Sequence, residues 1–127
     1  MTPKTETAKK KQAKSKRLGD EGEQQALEYL LQKGYQFLVK NYRYKRWEID
    51  LIMLDQQTNE LVFVEVKTRS NAQAGEPAAA VTQAKINHLH QAAQAYIQTK
   101  QLDHFYRFDV ISVLPNQIEH LENVTAQ

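Results

Sequence analysis

Two apolar runs constrain this chain most: residues 47–54 (WEIDLIML) and 60–68 (ELVFVEVKT), joined by the polar turn 55–59 (DQQTN). Their β-branched content and the short turn predict an antiparallel hairpin. Asp50, Glu65 and Lys67 interrupt the runs, and charged side chains are rarely buried in a sheet unless paired or bound to a metal. One register sets Asp50 opposite Glu65 and Glu48 opposite Lys67, with all four on one face because the strand period is two. Opposed Cβ atoms then lie roughly 5 Å apart, close enough for two carboxylates to grip one cation.

The flanking segments supply the rest of the domain. From about Lys16 to Lys33, Leu18, Gly19, Gly22, Glu23, Ala26, Leu27, Leu30 and Leu31 recur at helical spacing, and Gly34 is a normal stop. Glu23 precedes Ala26 and Leu27 by three and four residues, so it points toward the domain or sits at the edge of the stripe favouring the helix dipole. Gly19 and Gly22 cost helix stability but let this face approach another backbone closely. Residues 35–42 read as a first strand and 105–114 as a later one; 118–124 is a short strand or a turn of helix. Residues 70–77 form a loop. Thr82 caps a helix running to about residue 100, with Ile86, Leu89, Ala93, Tyr96 and Ile97 as its buried stripe. Arg107 and Asp109 are expected as a structural ion pair at a sheet edge.

The chain of 127 residues is most simply one domain, and its lack of cysteine removes disulfides and thiolate chemistry and fits a reducing cytoplasm. No apolar run approaches the ~20 residues of a membrane span. The basic N-terminus leads into Gly, Asp and Glu, unlike a secretory signal. Residues 1–17 carry seven bases and one acid, net +6, whereas the remainder carries ten bases and fourteen acids, net −4. Residues 1–15 are therefore expected to be disordered, and 1–17 to act as a basic tail on a single domain over 18–127. The tail either attracts phosphate or merely solubilises the protein.

Glu23, Asp50 and Glu65 offer hard oxygen ligands suited to Mg²⁺ or Mn²⁺. Lys67 falls on the face of Glu65, so metal and ammonium converge on one phosphate; the metal activates a bound water, and Lys67 holds that water or the developing charge. Arg43, Lys45 and Arg46 flank Tyr44 in a basic turn suited to phosphate contact and base stacking. Gln83 and Lys85 open a helix where phosphate is welcome, and with Arg69 they complete the candidate nucleic-acid contacts. The chain has no GxxxxGK[ST] loop and no GxGxxG fingerprint, and Ser15, Ser70 and Ser112 lack a nucleophile-elbow context. His88 and His90 are two apart on a helix, a poor metal pair, and all four histidines are read as surface residues.

Asp50 followed by Glu65-Val66-Lys67 resembles the D-x(n)-E-x-K signature of the PD-(D/E)XK nuclease superfamily. The wider set G19-D-E-G22-E23-x-x-A26, N41-Y-R43, E48-I-D50-L-I, V62-F-V-E-V-K-T-R69 and R107-F-D-V-I111 resembles the bacterial YraN family of predicted endonucleases, similar to Holliday junction resolvases, over about residues 18–124. The resemblance implies a restriction-endonuclease-like α/β fold with a mixed central sheet flanked by helices. It implies Asp50 and Glu65 as metal-binding carboxylates, Lys67 as the catalytic lysine and Glu23 as the helix acid completing the site. Trp47 stands where that family usually has Gly, so its indole narrows the approach or supplies a stacking platform. The expected function is a Mg²⁺-dependent endonuclease on branched or structured DNA, a homodimer if it meets a two-fold junction. The alternative is a nucleic-acid-binding scaffold that keeps the fold without cleavage.

Overall fold

The alternating apolar runs assemble into a mixed sheet with a helix on each face. The computed structural model describes residues 6–69 and 82–125, with side chains from residue 19 onward. Along the chain these are α1 (Glu6–Gln32), β1 (Tyr35–Tyr44), β2 (Trp47–Asp55), β3 (Glu60–Thr68), α2 (Gln83–Lys100), β4 (Tyr106–Leu114) and β5 (Gln117–Leu121). The five strands lie in the order β1-β2-β3-β4-β5. All neighbours are antiparallel except β3 and β4, which run parallel with α2 between them in sequence, as a crossover connection requires. The bounds of β1 to β4 agree with the sequence to within two residues, and of the ambiguous 118–124 stretch residues 118–121 lie in β5.

The two sheet faces carry separate cores. Ala26 and Leu30 of α1 pack with Leu51, Met53, Val62, Val64 and Ile111. Leu89, Ala92, Ala93 and Tyr96 of α2 pack with Ile49, Ile52, Leu61, Phe63 and Phe108. Double-sided burial explains why β2, β3 and β4 read as nearly continuous apolar runs. Thr82 is the N-cap of α2, its hydroxyl accepting from the Lys85 N–H at 3.2 Å. Gly34 ends α1 with φ +92°, a conformation that favours glycine. No helix among the described residues is long and apolar enough to cross a membrane.

Three local expectations are corrected. The helix α1 begins at Glu6, so residues 6–15 carry helical backbone where disorder was expected. These residues are mostly Ala, Lys and Gln, strong helix formers, and extending an existing helix costs less than nucleating one. Residues 1–5 and the loop expected over 70–77 lie outside the described residues.

Arg107 and Asp109 do form an ion pair, but on β4, which has neighbours on both sides. Arg107 Nε donates to Asp109 Oδ1 at 3.1 Å, while its other nitrogens reach Asp55, Glu60 and the Tyr35 hydroxyl. Burial alone would push the Asp109 carboxyl up; His120, the Asn123 N–H and Arg107 outweigh it and hold it below the usual range. The histidines are not all surface residues either. The His120 side chain is 3 % exposed against Asp109, and His90 Nδ1 lies 2.9 Å from the Tyr106 hydroxyl.

Candidate functional site

The regular alternation of β1 and β2 breaks at Asn41 and Asp50. The β1–β2 ladder pairs Tyr42 with Ile49 and Lys40 with Leu51, omitting the step between them. Asn41 there has φ +55°, a left-handed conformation that Asn tolerates better than most residues. Ile49 belongs to the α2-side core and Leu51 to the α1-side core, although two residues along a regular strand should share a face. Asp50 sits at this switch. The β2–β3 ladder runs in the phase expected from sequence but ends at Leu51↔Val64. At the next step the Val66 N–H donates to Asp50 Oδ2 at 2.7 Å.

The switch carries Glu48 to the acid of α1, correcting the expectation that Glu48 shares the face of Glu65 and Lys67, while Asp50 stays next to both groups. On the α1 side, Glu23, Glu48 and Asp50 each bring a carboxylate oxygen within 4.8 Å of the others. The Asn41 amide, with its nitrogen turned toward the acids, donates to Glu48 Oε1 at 3.3 Å and Glu23 Oε2 at 3.2 Å. Arg43, directly across from Glu48, completes the rim with a 3.2 Å ion pair. Gly22 places Glu23: a Cβ at this position would collide with Thr68 Oγ1, so the first acid rides next to a close approach of α1 to β3. Gly19 has open space around it and makes no such approach.

On the α2 side, Glu65 Oε1 accepts from Lys67 Nζ at 3.3 Å and from Lys85 Nζ at 2.7 Å. Lys85 is therefore a partner of a candidate carboxylate and not a free phosphate contact at the helix start. Asp50 feels both groups. Burial first, then the charge of Glu65, and more weakly Glu23 and Glu48, push its carboxyl up from 3.8 to about 7 against the opposing Val66 hydrogen bond. Burial also raises Glu23, with Asp20 and Glu48 adding to it and Lys40 and Asn41 opposing. Partly buried carboxylates that resist losing their protons are what a divalent cation relieves. The donor set, all oxygen, fits Mg²⁺ or Mn²⁺.

The remaining candidates border this centre unequally. The Arg46 guanidinium lies 4.7 Å from the centre of the Trp47 ring, and Trp47 stacks on His88 with centroids 3.5 Å apart and planes 13° apart. Lys45, at the tip of the β1–β2 turn, lies over Tyr44. Gln83 bonds Asn87 on its own helix at 3.0 Å. Arg69 anchors the end of β3 by donating its N–H to Val113 O at 2.8 Å.

Known proteins share this architecture's sequence. The family described as "Uncharacterised protein family UPF0102" matches residues 22–113. The chain belongs to UPF0102. A UPF0102 protein of Shewanella woodyi is 45 % identical over 105 residues, covering 83 % of this chain and 88 % of its own. One from Chlorobium phaeobacteroides is 41 % identical over 117 residues, 84 % of this chain and 91 % of its own. One from Chlorobium chlorochromatii is 50 % identical over 96 residues, 76 % and 73 % respectively. The match begins at Gly22 and so takes in Glu23, Asn41, Glu48, Asp50, Glu65, Lys67 and Lys85.

In this UPF0102 protein the carboxylate triplet adds Glu48 to the expected Glu23 and Asp50, and Glu65 remains the strongest neighbouring charge on Asp50. Two signals pointed to Glu48: it lies two residues from Asp50, and a basic residue precedes it in the opposing strand. Asn41 belonged to the N-Y-R motif but carried no assigned role. The pairing of Lys85 with Glu65 had no local signal, because it joins elements twenty residues apart.

Proposed function

We propose that this UPF0102 protein is a divalent-metal-dependent endonuclease that hydrolyses phosphodiester bonds in DNA, with branched or structured DNA as its substrate, acting in the cytoplasm. The observation that carries this reading is the convergence of Glu23, Glu48 and Asp50 within 4.8 Å beside the Glu65–Lys67 pair. Asp50 is common to both groups, and with Glu23, Glu48 and Glu65 it would hold Mg²⁺ or Mn²⁺. When bound, such an ion supplies an activated water and offsets charge on the phosphate. The protein's own groups do the rest. The Val66 N–H fixes the Asp50 carboxylate in orientation, and Asn41 bridges Glu23 and Glu48. Lys67 brings an ammonium from the strand of Glu65 to align water or to meet negative charge on the phosphoryl oxygens. Arg43, Lys45 and Arg46, together with the basic segment 1–17, attract the backbone without reading sequence.

A non-cleaving nucleic-acid-binding role is the second reading. It is favoured by the Trp47 indole, which His88 and Arg46 already engage beside Glu48. The test incubates purified protein with junction, flap, single-stranded and duplex DNA in Mg²⁺ or Mn²⁺, alongside Asp50→Ala and Lys67→Ala. Cleavage of a branched substrate that falls at least ~100-fold in both variants is the expected result. Cleavage that survives both substitutions would remove the assignment of the site. Binding without cleavage on every substrate would establish the second reading instead.

A further inference from the structure

We propose that Lys85 is a built-in competitor of the divalent cation at Glu65, held at its post by the stack of His88 on Trp47. The inference rests on the metal-binding reading of the site but not on DNA cleavage. One oxygen, Glu65 Oε1, accepts from two ammonium groups, Lys67 at 3.3 Å and Lys85 at 2.7 Å. A divalent cation drawn to the same carboxylate meets two like charges a few ångströms away, and at that range repulsion in a partly desolvated setting is substantial. One lysine has to yield. Lys67 stands two residues from Glu65 on the same strand and makes the longer contact. Lys85 comes from the first turn of α2, makes the shorter bond, and carries a flexible four-carbon stem that can redirect its charge.

The first turn of α2 is fastened in a way that presents Lys85 to Glu65. Thr82 caps it through the Lys85 N–H. His88, three residues on and therefore on the same helix face, lies flat on Trp47, the residue before Glu48. A single helical turn is thus tied to β3 through Lys85 and to β2 through His88, spanning the centre from both strands. The lysine is 34 % exposed and Glu65 14 %, so the released ammonium turns toward solvent at the rim. There a substrate phosphate offers it a new partner. Cation loading and phosphate binding then favour each other, because each removes the partner that the other would have to displace.

The experiment is a calorimetric titration of Mn²⁺ into the full chain without DNA, for the natural protein and the variants Lys85→Met, Lys85→Arg, His88→Ala and Asp50→Ala. Lys85→Met is expected to bind Mn²⁺ about two- to fivefold more tightly, the range one partly exposed charge contributes. Lys85→Arg should stay within about twofold of the natural protein, since it keeps the charge. His88→Ala should fall between them. Unchanged or weaker binding by Lys85→Met, with the natural protein binding and Asp50→Ala not, overturns the competition and leaves the metal site intact. Tightening by Lys85→Arg equal to that of Lys85→Met assigns the effect to packing and also overturns it. No binding by the natural protein or any variant overturns both this inference and the metal-dependent reading. Should Lys85→Met fail to fold by circular dichroism, Lys85→Gln replaces it in the same titration.

Discussion

The Val66 N–H donates to the Asp50 carboxylate at 2.7 Å, one step beyond the last β2–β3 backbone pair. A side chain thus takes over a bond that the neighbouring strand would have made. The carboxylate is held in one orientation but kept partly out of water, and burial together with Glu65 pushes it up to about 7.

That displacement fixes the sign of a pH effect. The native state binds the Asp50 proton more tightly than the unfolded chain, whose carboxyl titrates near 3.8. Between those values the native state keeps a proton that the unfolded state has lost, so stability falls as pH rises. Asp55 and Asp109, held below the usual range, are ionised in both states above pH 5 and do not mask it. Thermal melts in chelator should show a lower Tm at pH 8 than at pH 5, by a difference of at most about 3 kcal/mol in stability. Asp50→Asn should flatten the profile. A Tm that rises over this range and is indifferent to Asp50→Asn would contradict the assignment.

Glu48 sits in the carboxylate triplet with Glu23 and Asp50. Glu48→Gln removes one anionic ligand with little change of shape, and the affinity for Mn²⁺ should fall by about tenfold or more. Glu28→Gln, on the exposed side of α1, serves as the control. Equal affinities in the two variants would take Glu48 out of the metal site.

Gly22 meets the Thr68 hydroxyl where α1 crosses β3. Gly22→Ala gains helix propensity of about 1 kcal/mol, but the collision should cost more, for a net loss of roughly 1–2 kcal/mol in denaturant unfolding. Adding Thr68→Ala should return most of it, and a double-mutant cycle measures the coupling. Additive effects would show that the two residues do not touch in solution.

Arg107 lies among Asp55, Glu60 and Asp109. Arg107→Met leaves Asp109, 1 % exposed, without its guanidinium, and such losses cost roughly 3–5 kcal/mol. Arg107→Met with Asp109→Leu should be less damaging than Arg107→Met alone. The reverse order would mean that His120 and the Asn123 N–H suffice to hold the Asp109 charge.

The strands β2, β3 and β4 were legible in the sequence because they are buried on both faces, so their apolar runs stand out from the polar turns. The phase of β2 against β3 was legible as well, since the five-residue reach from Asp55 to Glu60 leaves little choice of register. The face switch at Asn41 and Asp50 was not. Strict period-two reasoning has no term for a left-handed Asn in mid-strand, so Glu48 was set beside Lys67 when it belongs beside Glu23. The helical course of residues 6–15 was missed for a related reason. Those residues lack large apolar side chains to pack, yet their propensity alone favours helix. The Lys85–Glu65 pair and the Arg107 network depend on tertiary proximity that no local pattern encodes.

The parallel pairing of β3 with β4 carries a consequence for how the protein assembles. Glu23, Asn41, Glu48, Asp50, Glu65 and Lys67 all lie on α1 and the β1–β2–β3 meander, whose contacts are short in sequence and close early. The strand β4 docks only after α2 has crossed over, a slower loop closure. On contact order, the acidic centre is expected to form on a half-built sheet before Lys85 reaches Glu65. A nascent chain would pass through an interval in which Glu65 has Lys67 beside it but not yet Lys85, so early divalent-ion capture would speed the refolding of this protein.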